Sequence, residues 1–399
     1  MPAFTSSRPL ILLASVLKPV DDTRMQGKFA RTLADAGAQV AVAGQASVAA
    51  RPAAGIALHP IFSGARLSLA RLAAQVRYWR LLRQLRPALV VVHAPELLPL
   101  TLLWRALARK RQFLYDIREN YALNVDTQHV YRGLVKRALA AGLRWVEGAA
   151  AQRAAAVLLA EASYADELPF LRALPPHRVL TLENKYQPAP GETLPPTPRP
   201  RPAATEPLQL LFSGTISVLN GVWEAIELTR ALRLAWPGGA ALTIIGFCQQ
   251  PELLRALQAA AAADKAWLTL VGGAALVPHA HIVAAIGRSH LGLLPYQPHP
   301  STARCRPTKL FEYLAHGLPV LVPSNPLWTS VVQAHAAGLV VAFAEPARAA
   351  AAVAAALPTA HFYPAGVPTG PVLWAGEGKK LGHLLESLGL SPTFAAPLA

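Results

Sequence analysis

The sequence has few cysteines, few acidic residues and no long uninterrupted apolar segment. Its 399 residues include only two cysteines, Cys248 and Cys305, which lie far apart. Two cysteines exclude a disulfide framework, and they predict reduced thiols in a cytoplasmic protein. No run of about 18 apolar residues is present, so the sequence predicts no membrane-spanning helix.

The shortage of acidic residues makes the chain strongly basic. Asp and Glu number 22 against 38 Lys and Arg, which gives a formal net charge of +16. Two interpretations remain open: an anionic partner such as phospholipid or nucleotide, or a compositional bias towards Arg and Ala. No RNA- or DNA-binding motif occurs, so nucleic acid is not a predicted partner.

Short apolar segments alternate with amphipathic ones in both halves of the chain. This alternation predicts an α/β protein with two doubly wound, Rossmann-like domains facing each other across a cleft. The predicted strands are 10–16, 39–43, 88–93, 112–117, 155–160, 179–183, 208–212, 241–245, 267–271, 291–294, 319–322 and 339–343. The predicted helices are 24–36, 67–86, 96–108, 130–151, 223–234, 252–262, 279–288, 307–316, 327–336 and 376–388.

A proline-rich segment separates the two halves. Eight prolines lie within residues 186–207, and this density is incompatible with a helix or a central strand. The segment is therefore predicted to be an extended linker between an N-terminal domain, 1–185, and a C-terminal domain, 208–375. Residues 376–399 are predicted to form a last helix and a tail.

The segment 291–324 contains the strongest candidates for binding a ligand. Pro307 is suited to the start of a helix, on which Lys309 and Glu312 share one face. A helix N-terminus with a lysine can hold a diphosphate, and a carboxylate one turn later can accept hydrogen bonds from a ribose diol. The spacing is equally compatible with an ordinary surface ion pair between Lys309 and Glu312.

Residues 307–322, PTKLFEYLAHGLPVLV, resemble the donor-site helix of the retaining GT-B glycosyltransferases, the group 1 or family 4-like enzymes. The resemblance implies that Glu312 binds the nucleotide ribose and that the region of Lys309 lies near the diphosphate. It also implies transfer of a sugar, with retention, from a nucleoside diphosphate sugar to an acceptor hydroxyl, without a cofactor or a metal ion. Surface-polysaccharide or glycolipid assembly is the corresponding pathway.

The start of the C-terminal domain resembles the same family. Residues 208–232 match its strand, glycine loop and helix, which places Gly214, Thr215 and Gly221 in the donor site, and Gly246 ends the following strand. Glycine at such places allows the backbone to approach a phosphate or a sugar closely.

The chain departs from the family pattern at two places. Arg304 stands where many members have the first glutamate of a pair, and residues 216–221 contain neither the Arg nor the Lys that grips the diphosphate. We hypothesise that Arg304, Arg306 and Lys309 supply the missing positive charge, with Arg304 and Lys309 as catalytic candidates. The departures keep open a non-catalytic nucleotide-sugar-binding or scaffold relative, and a nucleotide-sugar epimerase is a further alternative.

The N-terminal domain is expected to bind the acceptor. His93 ends a predicted strand, where functional groups gather in open sheets, and it resembles a family histidine. It is either a sugar-binding or catalytic residue or a structural histidine. Arg24, in the loop after the first strand, is expected either to contact phosphate or acceptor or to brace the loop by pairing with Asp22.

Residues 113–121, FLYDIRENY, resemble a second family segment, with Arg118 at the position of a histidine. Glu119 is a candidate for orienting acceptor hydroxyls, and Asp116 is expected to be structural. Both could instead cap the next helix or pair with Arg118.

A basic region with aromatic residues predicts contact with an anionic membrane surface, which suits a lipid-linked sugar or a glycan as the acceptor. The alternative is an ordinary solvated helix face. On the first interpretation, the protein is cytoplasmic and peripheral on the inner face of the membrane. The residues concerned are Arg66, Arg71, Arg77, Tyr78, Trp79, Arg80, Arg83 and Arg86, residues 109–111, Lys136, Arg137 and Trp145.

Overall fold

The computed structural model describes residues 8–48, 50–65, 68–123 and 133–390. Contacts within the chain divide it into two compact units. The first comprises the described residues up to Gln187 together with those from Trp374 onwards, and the second is Pro188–Leu373.

The first unit is built on a seven-stranded parallel sheet with the strand order β3-β2-β1-β4-β5-β6-β7. The order reverses between β1 and β4, so their carboxyl ends flank a switch point of the kind at which open sheets bind ligands. The strands are β1 (Leu10–Pro19), β2 (Gln39–Gln45), β3 (Ile56–Phe62), β4 (Leu89–Val92), β5 (Gln112–Ile117), β6 (Ala156–Leu159) and β7 (Val179–Thr181).

Helices cover both faces of this sheet, which explains why the central strands are apolar throughout. β4 is LVVV and is entirely buried, as expected for a parallel strand between two helical layers. A π-helical segment, Met25–Ala30, leads into α1 (Arg31–Asp35). The other helices here are α2 (Ala70–Leu85), α3 (Leu98–Ala106), α4 (Gly133–Arg153) and α5 (Tyr164–Glu167).

The second unit repeats the architecture with a six-stranded parallel sheet, ordered β10-β9-β8-β11-β12-β13. Its switch point lies between β8 and β11. The strands are β8 (Leu208–Ile216), β9 (Ala240–Cys248), β10 (Leu268–Gly273), β11 (Leu291–Leu293), β12 (Val320–Val322) and β13 (Gly338–Val340).

The helices of the second unit alternate with these strands and enclose one apolar core. They are α6 (Val222–Ala235), α7 (Pro251–Ala263), α8 (His279–Gly287), α9 (Pro300–Ala303), α10 (Thr308–Ala315), α11 (Pro326–Ala334) and α12 (Pro346–Ala356).

The last helix, α13 (Trp374–Ser387), packs on the first unit. Trp374 joins the apolar cluster beneath β1 and β2, and its indole Nε1 donates to Thr32 Oγ1 at 2.9 Å. The Nζ atom of Lys185 lies 2.6 Å from Glu377 Oε1. The first unit is therefore built from both ends of the described chain.

The proline-rich segment 188–207 belongs to the second unit and contains no helix or strand. It lies along the second unit, where Arg199 donates through its backbone to Gly317 O and through Nη1 to Gly287 O, both at 3.0 Å. Proline prevents regular structure here, and side-chain and backbone hydrogen bonds hold the segment in place.

The fold class predicted from the sequence, two doubly wound α/β domains, is confirmed. Four elements were absent from the prediction: β3, α12 and the one-turn helices α5 and α9. β3 carries His59 and Pro60, which interrupt its apolar pattern, and proline is tolerated because β3 is an edge strand. α12 is almost entirely alanine, so it lacks an amphipathic pattern that sequence analysis can detect.

Candidate functional site

The loop after β8 is held against the loop after β11 at the switch point of the second unit. Gly221, which precedes α6, has φ +80°, and a Cβ at this position would overlap the carbonyl oxygen of Pro295. Asn220 Nδ2 donates to Thr215 O at 2.8 Å. Gln297 donates to Leu219 O through its backbone at 3.0 Å. The N-terminus of α6 is thereby fixed at the carboxyl edge of the sheet.

The side chain of Lys309 lies across the end of β8. A Cβ at Gly214 would overlap Cε of Lys309, so glycine is required for this position of the lysine. The Nζ atom lies 3.4 Å from Tyr296 Oη and 5.9 Å from the centroid of the Phe212 ring. A positive charge at the start of α10 is thus held beside the first strand of the unit.

Gly246 of β9 lies beside Gly214 in the parallel ladder. A Cβ at Gly246 would overlap the carbonyl oxygen of Gly214, so two glycines allow these strand ends to approach closely. The adjoining strand ends and loops therefore carry five of the predicted donor-site residues: Gly214, Thr215, Gly221, Gly246 and Lys309.

Glu312 lies one turn after Lys309 and is mostly buried, with 8% of its surface exposed. Its Oε1 atom is 2.6 Å from Nε2 of His279, the first residue of α8. The surface ion pair with Lys309, which the spacing also allowed, is not formed in the structure. The hydrogen bond to Glu312 raises the pKa of His279 above its usual value, although burial opposes the shift.

Arg304 and Arg306 lie on the loop that leads into α10, Arg304 exposed and Arg306 half-buried. The loop is anchored on both sides: Trp328 Nε1 donates to Cys305 O at 2.6 Å, and Asn325 Nδ2 donates to Ala303 O at 2.8 Å. Two more cationic side chains are therefore carried by the same loop and helix start as Lys309.

The first unit contains a buried histidine–carboxylate–arginine group at the switch point between β1 and β4. His93 follows the last residue of β4, and its Nδ1 lies 2.7 Å from Asp116 Oδ2. Arg24 donates to the two oxygens of the same carboxylate, from Nε at 2.9 Å and from Nη2 at 2.7 Å. All three side chains are almost completely buried.

The protonation states follow from this geometry. Burial alone would raise the pKa of Asp116, but the Arg24 guanidinium and then His93 hold it well below its usual value. Burial lowers the pKa of His93, against the opposing effect of Asp116. A neutral His93 must then carry its proton on Nδ1 in order to donate to the ionised Asp116. Its Nε2 atom is buried and has no hydrogen-bond partner among the described residues.

Arg24 lies inside the fold and not at an acceptor surface, which corrects the role expected for it. Its remaining terminal nitrogen, Nη1, donates to Leu182 O at 2.9 Å. The alternative, a loop brace between Asp22 and Arg24, involves the backbone nitrogen of Arg24 and not its side chain. The Asp22 carboxylate instead accepts two hydrogen bonds from Arg118, at 2.8 and 3.1 Å, and one from the backbone nitrogen of Arg24 at 3.0 Å.

Glu119 is the exposed member of the segment 113–121. Its Oε1 lies 3.1 Å from Lys18 Nζ, and about 40% of its side chain is exposed. Asp116 has the structural contacts expected of it, although with Arg24 and His93 instead of Arg118.

Two features of these carboxylates and histidines were not predicted from the sequence. His279 was placed at a helix start without a role, and Glu147 was not considered. Glu147 is buried on α4, where it accepts a hydrogen bond from Tyr115 Oη at 2.7 Å. Only the proline before His279 marks it as the first residue of a helix, and no local pattern indicates that it meets Glu312, 33 residues away.

Among the described residues, no group of three or more His, Cys, Asp or Glu side chains is arranged to hold a metal ion. In the same part of the chain, no helix is both long enough and apolar enough to span a membrane.

Comparison with known proteins agrees with this architecture. Residues 23–185 match the family model of the glycosyl transferase 4-like domain. No curated protein sequence matches the chain.

Several solved structures share the fold over almost the whole chain. The sucrose-phosphate synthase of Thermosynechococcus elongatus has a TM-score of 0.64 and 14% identity, covering 96% of this chain and 99% of that one. HepE of Anabaena, solved with UDP and glucose, has a TM-score of 0.61 and 13% identity, covering 95% and 100%. WaaG, a glycosyltransferase involved in lipopolysaccharide biosynthesis, has a TM-score of 0.57 and 15% identity, covering 96% and 99%.

The fold is therefore that of the GT-B glycosyltransferases, with two Rossmann-like, parallel-sheet units. Within it, residues 23–185 match the model of the glycosyl transferase 4-like domain.

Proposed function

We propose that the protein is a glycosyltransferase that moves a sugar, a hexose in our proposal, from a nucleoside diphosphate sugar to an acceptor hydroxyl. The observation that carries the proposal is the arrangement at the switch point of the second unit. Lys309 lies across Gly214, two helices begin beside it, and Glu312 follows one turn later. The family match of residues 23–185 supports the same activity.

The second unit supplies the donor site. The diphosphate lies against the N-termini of α6 and α10, where backbone N–H groups and the helix dipoles favour an anion. Lys309, Arg306 and Arg304 add positive charge, and Gly214, Thr215, Gly221 and Gly246 provide backbone that a phosphate or sugar can approach. Glu312 accepts hydrogen bonds from the two ribose hydroxyls.

These groups stabilise the diphosphate as it leaves the donor sugar. Negative charge develops on the diphosphate oxygens as the glycosidic bond to the donor breaks, and cations and helix N-termini already in position stabilise it. Arg304 and Lys309 are the catalytic candidates for this step, and the mechanism needs neither a cofactor nor a metal ion. We propose retention at the anomeric carbon, with a leaving-phosphate oxygen accepting the acceptor's proton.

The first unit supplies the acceptor side and one catalytic candidate, His93. Asp116 fixes the tautomer of His93, so its Nε2 lone pair is available to a sugar hydroxyl. This buried nitrogen has no hydrogen-bond partner among the described residues, which supports the assignment, because buried polar atoms are nearly always hydrogen-bonded. Glu119, which is exposed beside Lys18, is the candidate for orienting the acceptor.

We further propose that the acceptor is a glycan or a lipid-linked sugar and that the protein binds the cytoplasmic face of an anionic membrane. The supporting surface is formed by α2, α3 and α4, with α3 packed against both neighbours. α2 and α3 contain no acidic residue, and the single carboxylate of α4, Glu147, is buried.

The same surface exposes apolar side chains beside its cations. Leu72 is 66% exposed, Leu103 is 49% exposed and Trp145 is 74% exposed. Arg77, Arg80, Arg83 and Arg137 are exposed on the same helices. Cations with interfacial Leu and Trp are what a helix needs in order to bind anionic lipid. Arg66, another member of the basic region, lies outside the described residues.

A non-catalytic nucleotide-sugar-binding relative is the second candidate, favoured by the loop 216–221, which has neither Arg nor Lys. An epimerase is the third. A screen of thermal stability against UDP-, GDP- and ADP-sugars, with product analysis, distinguishes the three candidate functions. A denaturation midpoint raised by one nucleotide class, together with slow release of nucleoside diphosphate, supports the transferase. Binding without any turnover supports the non-catalytic relative, and a free sugar epimer identifies the epimerase.

The matched variants for this screen are Glu312→Ala and Glu227→Ala. Glu227 is an exposed glutamate on α6, paired only with neighbouring Arg230 among the contacts described. The proposal expects the nucleotide-dependent shift to disappear in Glu312→Ala and to persist in Glu227→Ala. A shift that survives in Glu312→Ala would contradict the donor site.

A further inference from the structure

Two histidines and a second glutamate lie around Glu312, the proposed ribose-binding carboxylate. His279 Nε2 lies 2.6 Å from Glu312 Oε1, and His316 Nε2 lies 3.2 Å from Glu192 Oε1. Glu312 and His316 are four residues apart at the end of α10, and Glu192 comes from the segment before β8. Glu312 is therefore one member of a histidine–carboxylate cluster.

The orientation of Glu312 depends on His279. A glutamate side chain has several rotatable bonds, and binding a diol requires its carboxylate plane to be fixed in advance. The bond from His279 joins the start of α8 to α10 and so fixes that plane. The His279 side chain is 45% exposed, so solvent protons reach it.

We propose that His279 is a positioning residue of the donor site, which holds the Glu312 carboxylate towards the nucleotide ribose and makes donor affinity depend on pH. The inference rests on the proposed function, which assigns the ribose to Glu312. Protonated His279 both strengthens the bond to Glu312 and adds a positive charge to a site that binds an anion.

The charged groups around His279 determine whether His279 or His316 changes protonation near neutral pH. Glu312 and His316 face it from α10 and Glu192 from the segment before β8, and Arg199 acts on His316. The hydrogen bond that His279 donates to Glu312 raises the pKa of His279, although burial opposes it, and Glu192 adds to the rise. Burial lowers the pKa of His316. Above about pH 6.5, the usual value for histidine, His279 is therefore the member that loses a proton.

The direction of the effect follows. Donor binding favours the charged form of His279, so affinity is full below its pKa and declines as pH rises through it. The expected decline is about tenfold, the size of one hydrogen bond to a charged group.

The test is calorimetric titration of the full chain with UDP-glucose, GDP-mannose and ADP-glucose at about pH 6 and about pH 8.5, a range that brackets histidine titration. The variants are His279→Gln, His279→Leu and Glu312→Ala. His281→Gln is the control, because His281 is an exposed histidine on the same helix. The diphosphate of a nucleotide sugar has no ionisation in this range, so the probe itself does not titrate.

We expect the wild type and His281→Gln to lose about tenfold in affinity at the higher pH, the size estimated above for one charged hydrogen bond. His279→Gln keeps an Nε2–H donor without a titratable charge, so its affinity is the same at both pH values. His279→Leu binds about tenfold more weakly than the wild type at the lower pH, by the same estimate. Thermal denaturation verifies folding, and His279→Gln alone decides the pH dependence if the leucine variant unfolds.

Two results overturn the inference and are distinguishable. If the wild type binds a nucleotide sugar, Glu312→Ala does not, and His279→Gln keeps the wild-type pH profile, His279 has no positioning role and the proposed function stands. If none of the three nucleotide sugars binds the wild type at either pH, the donor-site proposal fails and the inference fails with it.

Discussion

His93 Nδ1 and Asp116 Oδ2 lie 2.7 Å apart, with both side chains excluded from solvent and Arg24 on the opposite side of the carboxylate. This geometry gives the group of three side chains two distinct roles, one in the stability of the fold and one in contact with substrate. Asp116 and Arg24 form a buried ion pair within the fold, whereas the Nε2 ring nitrogen of His93 has no hydrogen-bond partner among the described residues. A substitution that keeps the hydrogen bond to Asp116 but removes Nε2 tests whether His93 acts on substrate.

His93→Asn is that substitution, because the asparagine amide can donate to Asp116 but has no counterpart of Nε2. We expect release of nucleoside diphosphate from the donor to fall by about 100-fold or more, the usual contribution of a positioned proton acceptor or donor. The midpoint of thermal denaturation should change little. His177→Asn, at an exposed position of the same unit, is the control. Wild-type turnover in His93→Asn would assign His93 a structural role.

Glu147→Gln should stabilise the protein at alkaline pH. Burial raises the pKa of Glu147 to about 7, against the opposing hydrogen bond from Tyr115. The folded state thus binds a proton that the unfolded state releases, so wild-type stability decreases as pH rises from about 4.5 to about 7. Glutamine keeps an acceptor for Tyr115 without the charge.

We expect the free energy of unfolding of Glu147→Gln to exceed that of the wild type by about 1–3 kcal/mol at pH 8 and to equal it near pH 5. Urea denaturation at both pH values measures the difference. Glu252→Gln, exposed at the start of α7, should show no such dependence. An equal effect of Glu147→Gln at both pH values would contradict the account.

Gly221→Ala should destabilise the second unit more than Gly239→Ala. Both glycines have positive φ, +80° and +71°, but a Cβ at Gly221 would overlap Pro295 O whereas nothing lies within 4 Å of one at Gly239. The conformational cost is about 1–2 kcal/mol for each, and displacement of the 217–221 loop adds about 1–3 kcal/mol at Gly221 only. Denaturation and donor titration measure the two effects, and equal losses would show that the loop contact has no role.

Removal of two positive charges and one indole from the α2–α3–α4 surface should weaken membrane binding. The variant combines Arg80→Gln, Arg83→Gln and Trp145→Ser, three exposed positions. At about 1 kcal/mol for each arginine and a similar amount for the indole, affinity for phosphatidylserine-containing vesicles should fall by about 100-fold. Arg255→Gln with Arg348→Gln in the second unit is the control for charge alone. Unchanged vesicle sedimentation would leave this surface as a solvated helix face.

The fold could be predicted because its determinants are local. Buried parallel strands appear as short apolar runs such as 88–93, and glycine or proline marks most of the boundaries between elements. The Lys309–Glu312 spacing and the glycines of the 214–221 loop are local as well, so the candidate donor site could be named from the sequence with the help of a family resemblance.

The contacts that define chemistry at the site could not be predicted in the same way. Arg24 and Asp116 are 92 residues apart and His279 and Glu312 are 33 apart, and no periodic pattern encodes such pairings. The sequence therefore suggested Asp22 as the partner of Arg24 and Lys309 as a partner of Glu312. In the folded chain, strand order determines which loops meet. The side chain of Arg24 pairs with Asp116, and that of Glu312 pairs with His279.

The most direct test of the central claim is titration of the wild-type chain and of Glu312→Ala with UDP-, GDP- and ADP-sugars. The account predicts saturable binding of one nucleotide class by the wild type and by Glu227→Ala. It predicts a loss of at least about tenfold in Glu312→Ala, since a ribose diol loses hydrogen bonds to a charged group. Equal affinity of the wild type and Glu312→Ala, or no binding by the wild type, would contradict a nucleotide-sugar donor site at α10.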